Sequence, residues 1–344
     1  MIKTFRETQS AGRTLVIAEI GQAHDGSLGI LNSLIDSVAA TGVDAIKFQV
    51  HIAEAESSPL EPFRVKFSSV DETRFDYWKR MELTPNQWGE VKNRCESLGV
   101  EFLATPFSNA AVDLLEQISV MRYKVGSGDL SNTLLLDKLA QTGKEIILST
   151  GICTYKEIDS AVAFLRERSV PFTLMQCTTK YPTQASDIGL ARIKQLQARY
   201  DCPVGLSDHS GTVYAGLGAA TLGAAVIEVH VTFDKRMFGP DSKASLTVDE
   251  FGQLVEGVRF LEQARKDGPD KVLDEDKQAL RLMFGKALAV NRDLPSGYVL
   301  QFDDLEGKKP ANGGLLVSSL NKVLGRRLVR SKKCWDFIDI NDLE

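Results

Sequence analysis

The sequence predicts a (β/α)8 barrel followed by a small, mainly β C-terminal domain. Over the first three quarters of the 344 residues, short β-branched runs alternate with longer amphipathic stretches. There are eight strand-like runs, and this part of the chain has about the length that such a barrel needs. After Asp267 the pattern changes to short runs broken by Pro- and Gly-containing turns.

The predicted barrel strands are β-branched and largely apolar. They span 14–20, 45–50, 100–106, 121–126, 145–150, 171–177, 202–207 and 225–231. Helical patterns lie between them, for example at 28–42, 84–99, 154–168 and 247–265, and several open on Ser, Thr or Asn and close on Gly. A doubly wound sheet also alternates in this way, but it usually has a Gly-rich phosphate loop after its first strand. The segment here, GQAHDGSLG, has no GxGxxG, which favours the barrel.

Three segments follow from this pattern. We expect a catalytic barrel over 1–266, a charged linker with a short helix over 267–281, and a small β domain over 282–344. A unit of the last size buries little surface alone, so we expect it to pack on another surface.

Composition excludes several classes of protein. Acidic residues outnumber basic ones, 46 against 41, so we expect no nucleic-acid partner. The five cysteines are scattered without a CxxC pair, which is typical of reduced thiols rather than of a disulfide frame. No run of signal-peptide or membrane-spanning character is present. We therefore expect a soluble, cytoplasmic protein with no membrane partner.

Polar side chains at the carboxyl ends of barrel strands are the candidate site, because these ends form the functional face of such barrels. Glu19 ends the first strand, and Lys47 and Gln49 point to one side of the second. A lysine inside a barrel is costly unless it is paired with an anion. Lys47 therefore either binds an anionic substrate or forms a buried ion pair with Glu19.

The fourth strand ends in YKVGSGD (123–129), where Lys124 precedes a Gly-Ser-Gly turn centred on Ser127. Backbone N–H groups and a hydroxyl in such a turn can hold a phosphate or carboxylate, although the same turn is often a plain loop. Other hydroxyl groups follow the third, fifth and sixth strands, where turn or cap roles are the alternative: Thr105, Ser149, Thr179 and Tyr181.

Two of the four histidines, His209 and His230, follow adjacent strands, the seventh and eighth. Neutral imidazoles at neighbouring strand ends can bind one divalent ion, with water or substrate completing the shell. The alternative is a pair of buried core histidines. His24 and His51 lie on the same predicted face, where His24 would help to hold the loop after the first strand. The alternative for both is a solvated loop residue.

An anion cradle beside an open metal predicts the condensation of a phosphorylated enol with an aldehyde. This hypothesis requires that the two imidazoles converge and that acidic side chains of the chain itself do not fill the cradle.

These motifs together resemble the sialic acid synthases, that is, the N-acetylneuraminate synthases and their nonulosonate relatives. The shared motifs cover almost the whole chain in the same order: AEIGQAHDG (18–26), DAIKFQ (44–49), ATPFS (104–108), YKVGSGD (123–129), ILSTG (147–151), QCTTKYPT (176–183), GLSDHSG (205–211), EVH (228–230) and GPD (239–241). The C-terminal part, KALAVNRDLPSGYVLQFDDLEGKKPANGG, is similar to the antifreeze-like domain of those enzymes.

The resemblance implies a reaction of phosphoenolpyruvate with an N-acylated mannosamine-type aldehyde, releasing phosphate by C–O cleavage. It implies Mn²⁺ or Mg²⁺ on His209 and His230, and a homodimer in which the C-terminal domains are exchanged. It further implies that Asp129 handles protons or positions water. The residues implied to hold phosphoenolpyruvate are Lys47, Lys124, Thr105, Ser127, Ser149 and Ser207. Those implied to contact the sugar or order the site are Glu19, Gln49, Thr179, Tyr181, Asp241 and Lys309.

Three positions depart from the family pattern, namely Ala23, Thr179 and Lys309, and all three concern the sugar. N-acetylmannosamine is the expected substrate, and the alternative is a diacetamido-trideoxy sugar leading to legionaminic or pseudaminic acid. Two other hypotheses are a Schiff-base aldolase with Lys124 as nucleophile and a non-catalytic carbohydrate-binding protein.

Overall fold

The computed structural model describes residues 12–65, 67–266 and 271–344. The chain divides into two compact units, Met1–Lys266 and Asp267–Glu344. Residues 267–270 of the predicted linker lie outside the described residues, as does the start of the predicted barrel domain.

The first unit is a closed barrel of eight parallel strands, which confirms the predicted (β/α)8 fold. The strands pair in chain order, and the first also pairs with the eighth. They are β1 (Leu15–Glu19), β2 (Ala45–Val50), β3 (Glu101–Pro106), β4 (Arg122–Val125), β5 (Glu145–Ser149), β6 (Phe172–Cys177), β7 (Val204–Asp208) and β8 (Val226–Thr232). A two-residue strand, β9 (Leu246–Thr247), pairs with the end of β8.

Ten helices of the described barrel unit lie between or after the strands. They are α1 (Leu28–Ala39), α2 (Ala53–Glu56), α3 (Arg74–Met81), α4 (Pro85–Ser97), α5 (Asn109–Gln117), α6 (Thr133–Gln141), α7 (Tyr155–Glu167), α8 (Ala191–Tyr200), α9 (Tyr214–Thr221) and α10 (Val248–Ala264). Capping boxes at Thr84, Thr154 and Thr247 fix the starts of α4, α7 and α10, because each threonine and the residue at the third helical position satisfy each other's backbone N–H.

Strand alternation separates the barrel interior from the layer of helices. On β1, Val16 and Ala18 pack outward against the helices, whereas Leu15 and Ile17 belong to a small cluster inside the barrel. Glu19 continues the inward set, since side chains two residues apart share a face. The interior is therefore apolar at the amino ends of the strands and polar at the carboxyl ends, which places the site.

The connection from β2 to β3 is longer than the other connections and carries its own small core. Buried Tyr77, Trp78 and Met81 of α3 pack with Ala53 of α2. Phe63 and Phe67, from the loop between α2 and α3 (residues 57–73, hereafter the β2–α3 loop), pack against them. This loop was not assigned any element from the sequence.

The second unit contains α11 (Glu275–Phe284) and an antiparallel pair of strands, β10 (Ala287–Val290) and β11 (Leu305–Lys308). Five isolated bridges tie the remaining turns together. Its core is aliphatic and consists of Leu288, Val290, Leu294, Leu300, Val323, Leu328 and Ile338. The helix spans the predicted boundary between linker and domain. Within the described residues of both units, no helix combines the length and apolar character needed to cross a membrane.

We predict that Gly205→Ala destabilises the barrel. A Cβ at Gly205 would lie 2.4 Å from the Val226 carbonyl oxygen and 2.5 Å from Met175 Sδ, so the strands must move apart. Overpacking of this kind costs about 1–3 kcal/mol, which urea denaturation measures as a lower free energy of unfolding. The control is Gly29→Ala in α1, where a Cβ meets only Ser27 Oγ at 3.7 Å. That change should leave stability unchanged or raise it by up to ~1 kcal/mol. Equal stability of the two variants would contradict the close approach at β7.

Candidate active site

One cavity of about 490 Å³ opens at the carboxyl ends of the barrel strands, and every predicted site residue except Lys309 lines it. Those residues are Glu19, Lys47, Gln49, Thr105, Lys124, Ser127, Asp129, Ser149, Thr179, Tyr181, Ser207, His209, His230 and Asp241. Lys309 belongs to the second unit, where it is exposed and its ammonium lies 5.3 Å from the Phe284 ring centre. The structure thus brings together residues from all eight strands or the loops that follow them.

Four buried charges form the floor of the cavity, and we call Lys47, Lys124, Glu19 and Glu228 the charged cluster. Lys47 is ion-paired with Glu19, and its Nζ also lies 3.8 Å from Glu228 Oε2. Lys124 Nζ lies 3.4 Å from Glu228 Oε1. All four side chains are at most 5% exposed. The ion pair of Lys47 with Glu19, stated above as the alternative to anion binding, is therefore present.

Glu228 was missed as a site residue, although the EVH motif contains it. Because it stands two residues before His230 on β8, the alternation of the strand was a signal that both face the cavity. Its carboxylate supplies an internal anion to both lysines, so the cradle is partly filled by acidic side chains of the chain itself. The lysines nevertheless line the open cavity.

The pKa shifts distinguish the two lysines. Burial lowers the pKa of Lys47, but Glu19 and Glu228 outweigh this effect and the net shift is upward. The pKa of Lys124 is lowered, mainly by burial and further by the neighbouring Lys47, against the opposing effect of Glu228. Burial opposes ionisation of Glu228, yet the two ammonium groups hold its pKa at about 2. Lys124 is thus the less compensated cation.

Three hydroxyl groups bond to the charged cluster. Lys47 Nζ donates to Thr105 Oγ1 at 3.1 Å, and Lys124 Nζ donates to Ser149 Oγ at 2.6 Å. Ser207 Oγ donates to Glu228 Oε1 at 3.0 Å. Ser149 is not the helix cap considered as its alternative, because Thr154 caps the following helix. The hydroxyls and ammonium groups together form a concave set of donors suited to an oxyanion.

The Ser127 turn meets the loop after β5. The backbone N–H of Gly151 donates to Ser127 Oγ at 2.8 Å. A Cβ at Gly151 would lie 2.4 Å from Thr179 Oγ1 and 2.9 Å from Ser127 Oγ, so these loops can approach only because position 151 has no side chain.

Asp129 lies at the end of the same turn and is a candidate proton carrier. Burial raises its pKa, and the nearby Glu56 carboxylate adds to this effect. Asn132 Nδ2 donates to Asp129 Oδ1 at 2.9 Å and opposes the shift. A carboxyl group with a raised pKa at a cavity wall is suited to general acid–base chemistry.

His209 and His230 are side by side, with ring centres 5.3 Å apart. His209 Nδ1 lies 3.0 Å from the Thr178 carbonyl oxygen, to which it donates, so Nε2 keeps its lone pair. Burial and the neighbouring His230 lower the pKa of His209 to about 3. A neutral, oriented imidazole is the form that binds a divalent metal. Within the ranges that the structure describes, no group of three His, Cys, Asp or Glu could hold such an ion. Water or substrate would thus complete the shell.

Gln49 is fixed at both ends of its amide. Its Nε2 donates to Glu19 Oε1 at 2.9 Å, and its Oε1 accepts a hydrogen bond from Gln22. His51 stacks between Trp78 and Phe107 at centroid distances of 3.8 and 4.5 Å. The solvated alternative for His51 is wrong, since this histidine is buried on the cavity wall.

His24 is also buried, so its solvated alternative is wrong too. Its Nδ1 accepts a hydrogen bond from the Gly26 N–H at 3.1 Å, which stabilises the loop after β1. His24 is not among the residues that line the cavity.

The outer wall of the cavity contains residues that the sequence did not indicate. They come mainly from the β2–α3 loop and α3 and include Glu61, Arg64, Arg74 and Trp78. Arg64 Nη2 lies 2.7 Å from Asp241 Oδ1, and the guanidinium lies 4.0 Å above the Tyr181 ring. Tyr181 in turn packs on His209, with ring centres 4.1 Å apart. No motif or period marks these loop positions, so only the fold reveals them.

Comparison with known proteins agrees with this arrangement. The NeuB family model matches residues 34–270. The N,N'-diacetyllegionaminic acid synthase of Campylobacter jejuni is 34% identical over 88% of this chain and 92% of its own. The human N-acetylneuraminate-9-phosphate synthase is 30% identical over 91% of this chain and 88% of its own.

A solved structure gives the same result. The crystal structure of an N-acetylneuraminic acid synthetase from Leptospira borgpetersenii, in complex with citrate, superposes with a TM-score of 0.68 and 29% identity. The superposition covers 78% of this chain and 91% of that one. The resemblance read from the motifs is thereby confirmed, and the chain belongs to the NeuB family.

Proposed function

We propose that this protein condenses phosphoenolpyruvate with the open-chain aldehyde of an N-acylated mannosamine-type sugar to form a sialic acid. The observation that carries the proposal is the charged cluster with its hydroxyl groups lying in the same cavity as the histidine pair. The relatives named as synthases of N-acetylneuraminate 9-phosphate and diacetyllegionaminate support the same reaction class.

Phosphoenolpyruvate carries a phosphate and a carboxylate, which need several cationic and hydroxyl donors. Lys47 and Lys124 supply the charge, and Thr105, Ser149 and Ser207 supply hydroxyls bonded to the cluster. Ser127 extends this set along the turn after β4. The lowered pKa of Lys124 indicates an ammonium that gains stability when a further anion binds beside it.

His209 and His230 would hold the divalent metal, Mn²⁺ or Mg²⁺. When bound, such an ion polarises the aldehyde oxygen of the sugar and makes its carbon electrophilic. Glu19 and Gln49, hydrogen-bonded to each other beside His230, order this part of the cavity.

The reaction forms a bond between the enol methylene carbon and the aldehyde carbon. Water adds to the enol carbon that carries the phosphate ester, the C–O bond breaks, and inorganic phosphate leaves. The attacking water gives up both of its protons: one ends on the aldehyde oxygen and the other on the departing phosphate. Asp129 is suited to exchange these protons because burial raises its pKa.

The outer wall favours a sugar without a phosphate group. Its two guanidinium groups are already paired, Arg64 with Asp241 and Arg74 with Glu61. Neither guanidinium is therefore left to neutralise a dianionic sugar phosphate. N-acetylmannosamine is the substrate that we propose, with a diacetamido-trideoxy sugar as the alternative. Thr179 and Tyr181 line the cavity and are proposed to contact the sugar.

The location and assembly of the protein are also part of the proposal. Five free cysteines fit a reducing, cytosolic compartment. We propose that the second unit is an antifreeze-like domain, that Lys309 contributes to the sugar end of a site, and that two chains form a homodimer with exchanged C-terminal domains. In support, none of the residues of α11 is buried, and Met283 and Phe284 are 60% and 62% exposed.

The experiment that tests the function is product analysis by mass spectrometry. The protein is incubated with phosphoenolpyruvate, manganese and a panel of N-acyl hexosamines, including N-acetylmannosamine, its 6-phosphate and the diacetamido-trideoxy sugars. We expect a nonulosonic acid and inorganic phosphate from an unphosphorylated sugar, and chelator should stop both. If only the 6-phosphate is turned over, the outer wall does not favour an unphosphorylated sugar as proposed. If no sugar gives a product, the proposed function is contradicted.

We predict that Lys47→Met and Lys124→Met each weaken phosphoenolpyruvate binding by roughly ten- to hundredfold, since a hydrogen bond to a charged group contributes about 1.5–3 kcal/mol. Isothermal titration calorimetry with the metal-loaded protein measures the affinity. Because Lys47→Met alone leaves Glu19 buried without its partner, the charge-matched variant Glu19→Gln/Lys47→Met tests the same loss. The control is Lys92→Met, whose ammonium pairs with Glu96 on the surface of α4. Unchanged affinity in the cluster variants would count against the assignment.

The lowered pKa of Lys124 also fits a Schiff-base aldolase with that amine as nucleophile. Borohydride reduction in the presence of pyruvate distinguishes the two functions. A stable adduct on Lys124 supports the aldolase, whereas phosphate release without an adduct supports the synthase. Lys124 donates to Ser149 and lies beside the Glu228 carboxylate, which favours the synthase, because a lysine nucleophile needs an amine without an anion next to it.

A further inference from the structure

We propose that Arg64 is a positioning residue for the sugar, acting through Asp241 and Tyr181. The inference rests on the proposed function, because it concerns the sugar end of that same cavity. Arg64 comes from the β2–α3 loop, which lies outside the motifs quoted above.

The contacts of Arg64 join three parts of the cavity wall. Its Nη2 donates to Asp241 Oδ1 at 2.7 Å and lies 3.4 Å from the Pro240 carbonyl oxygen. Its guanidinium carbon lies 4.0 Å from the centre of the Tyr181 ring, within the range of a cation–π contact. One side chain therefore fixes both a carboxylate and an aromatic ring.

Tyr181 connects Arg64 to the histidine pair. The ring centre of Tyr181 lies 4.1 Å from that of His209 and 5.9 Å from that of His230. A tyrosine that packs on His209 and is also held by a guanidinium has little freedom to tilt. The orientation of the wall beside the reacting aldehyde thus depends on Arg64.

Stability of the loop does not explain these contacts. The side chain of Arg64 is 39% exposed, and an ion pair at such a site contributes about 0–1 kcal/mol. The β2–α3 loop is held on the barrel by Phe67, which packs edge-on against Tyr77 and Phe238 at 5.0 and 5.5 Å. Removing Arg64 should therefore leave the loop docked.

The charge of Arg64 is already met by Asp241. A guanidinium that is paired in this way has little attraction left for an anion of its own, so its role is to hold the two wall residues in place. Phosphoenolpyruvate would bind at the charged cluster, where Arg64 makes no contact in the described chain.

The test is steady-state kinetics of Arg64→Ala with the sugar that the product analysis identifies. We expect the KM for the sugar to rise roughly tenfold, the loss of one charge-assisted contact, while the KM for phosphoenolpyruvate stays within about twofold. Arg64→Lys keeps the charge but not the planar stack, so it should recover part of the loss. Arg236→Ala is the matched control, because Arg236 pairs with Asp234 on the loop after β8 and does not line the cavity.

A double-mutant cycle tests whether Arg64 acts through Asp241. If it does, Arg64→Ala in an Asp241→Ala background raises the KM for the sugar much less than it does in the native chain. An unchanged KM for the sugar in Arg64→Ala would overturn the proposal. So would a rise in KM in the double variant equal to the product of the two single rises, because Arg64 and Asp241 would then act independently. If the unmodified protein forms no product from any sugar, the proposed function fails and this inference fails with it. If the unmodified protein is active but Arg64→Ala leaves the KM for the sugar unchanged, only this inference fails.

Discussion

The charged cluster is the interaction on which the rest of the site depends. An ion buried without a partner costs several kcal/mol, and Lys47 and Lys124 are both almost fully enclosed. Glu19 and Glu228 balance them one for one, so the barrel can carry two cations at its centre while it is empty of substrate. A folded barrel with these lysines thus requires internal carboxylates, and their presence does not by itself exclude an anionic ligand.

The two lysines are nevertheless not equivalent. Lys47 has a carboxylate in direct contact, and its pKa is raised, whereas the pKa of Lys124 is lowered because burial outweighs its more distant partner. An arriving phosphate would gain most at Lys124, next to Ser149 and the Ser127 turn. Hydroxyl groups suit such a site because they can donate to an oxyanion without adding a net charge that would need its own counterion when no substrate is bound.

Much of this site could be predicted from the sequence because barrel strands place their carboxyl ends on one face. Alternation on β1 and β2 was enough to bring Glu19, Lys47 and Gln49 together, and chain order set His209 beside His230. The pairing of Lys47 with Glu19 instead of with solvent or substrate could not be decided, since it depends on distances across the barrel. Arg64 could not be predicted at all, because an irregular loop has no period and its residues are positioned by packing of Phe63 and Phe67.

Two of the three departures from the family pattern, Ala23 and Thr179, lie in the barrel unit but at different distances from the cavity. Ala23 is partly buried against the main core and is not among the residues that line the large cavity. Thr179 does line the cavity, and its Oγ1 fills the space that a side chain at position 151 would need. In the proposed function, the part of the wall that would meet the sugar runs from Thr179 to the pair formed by Arg64 and Asp241.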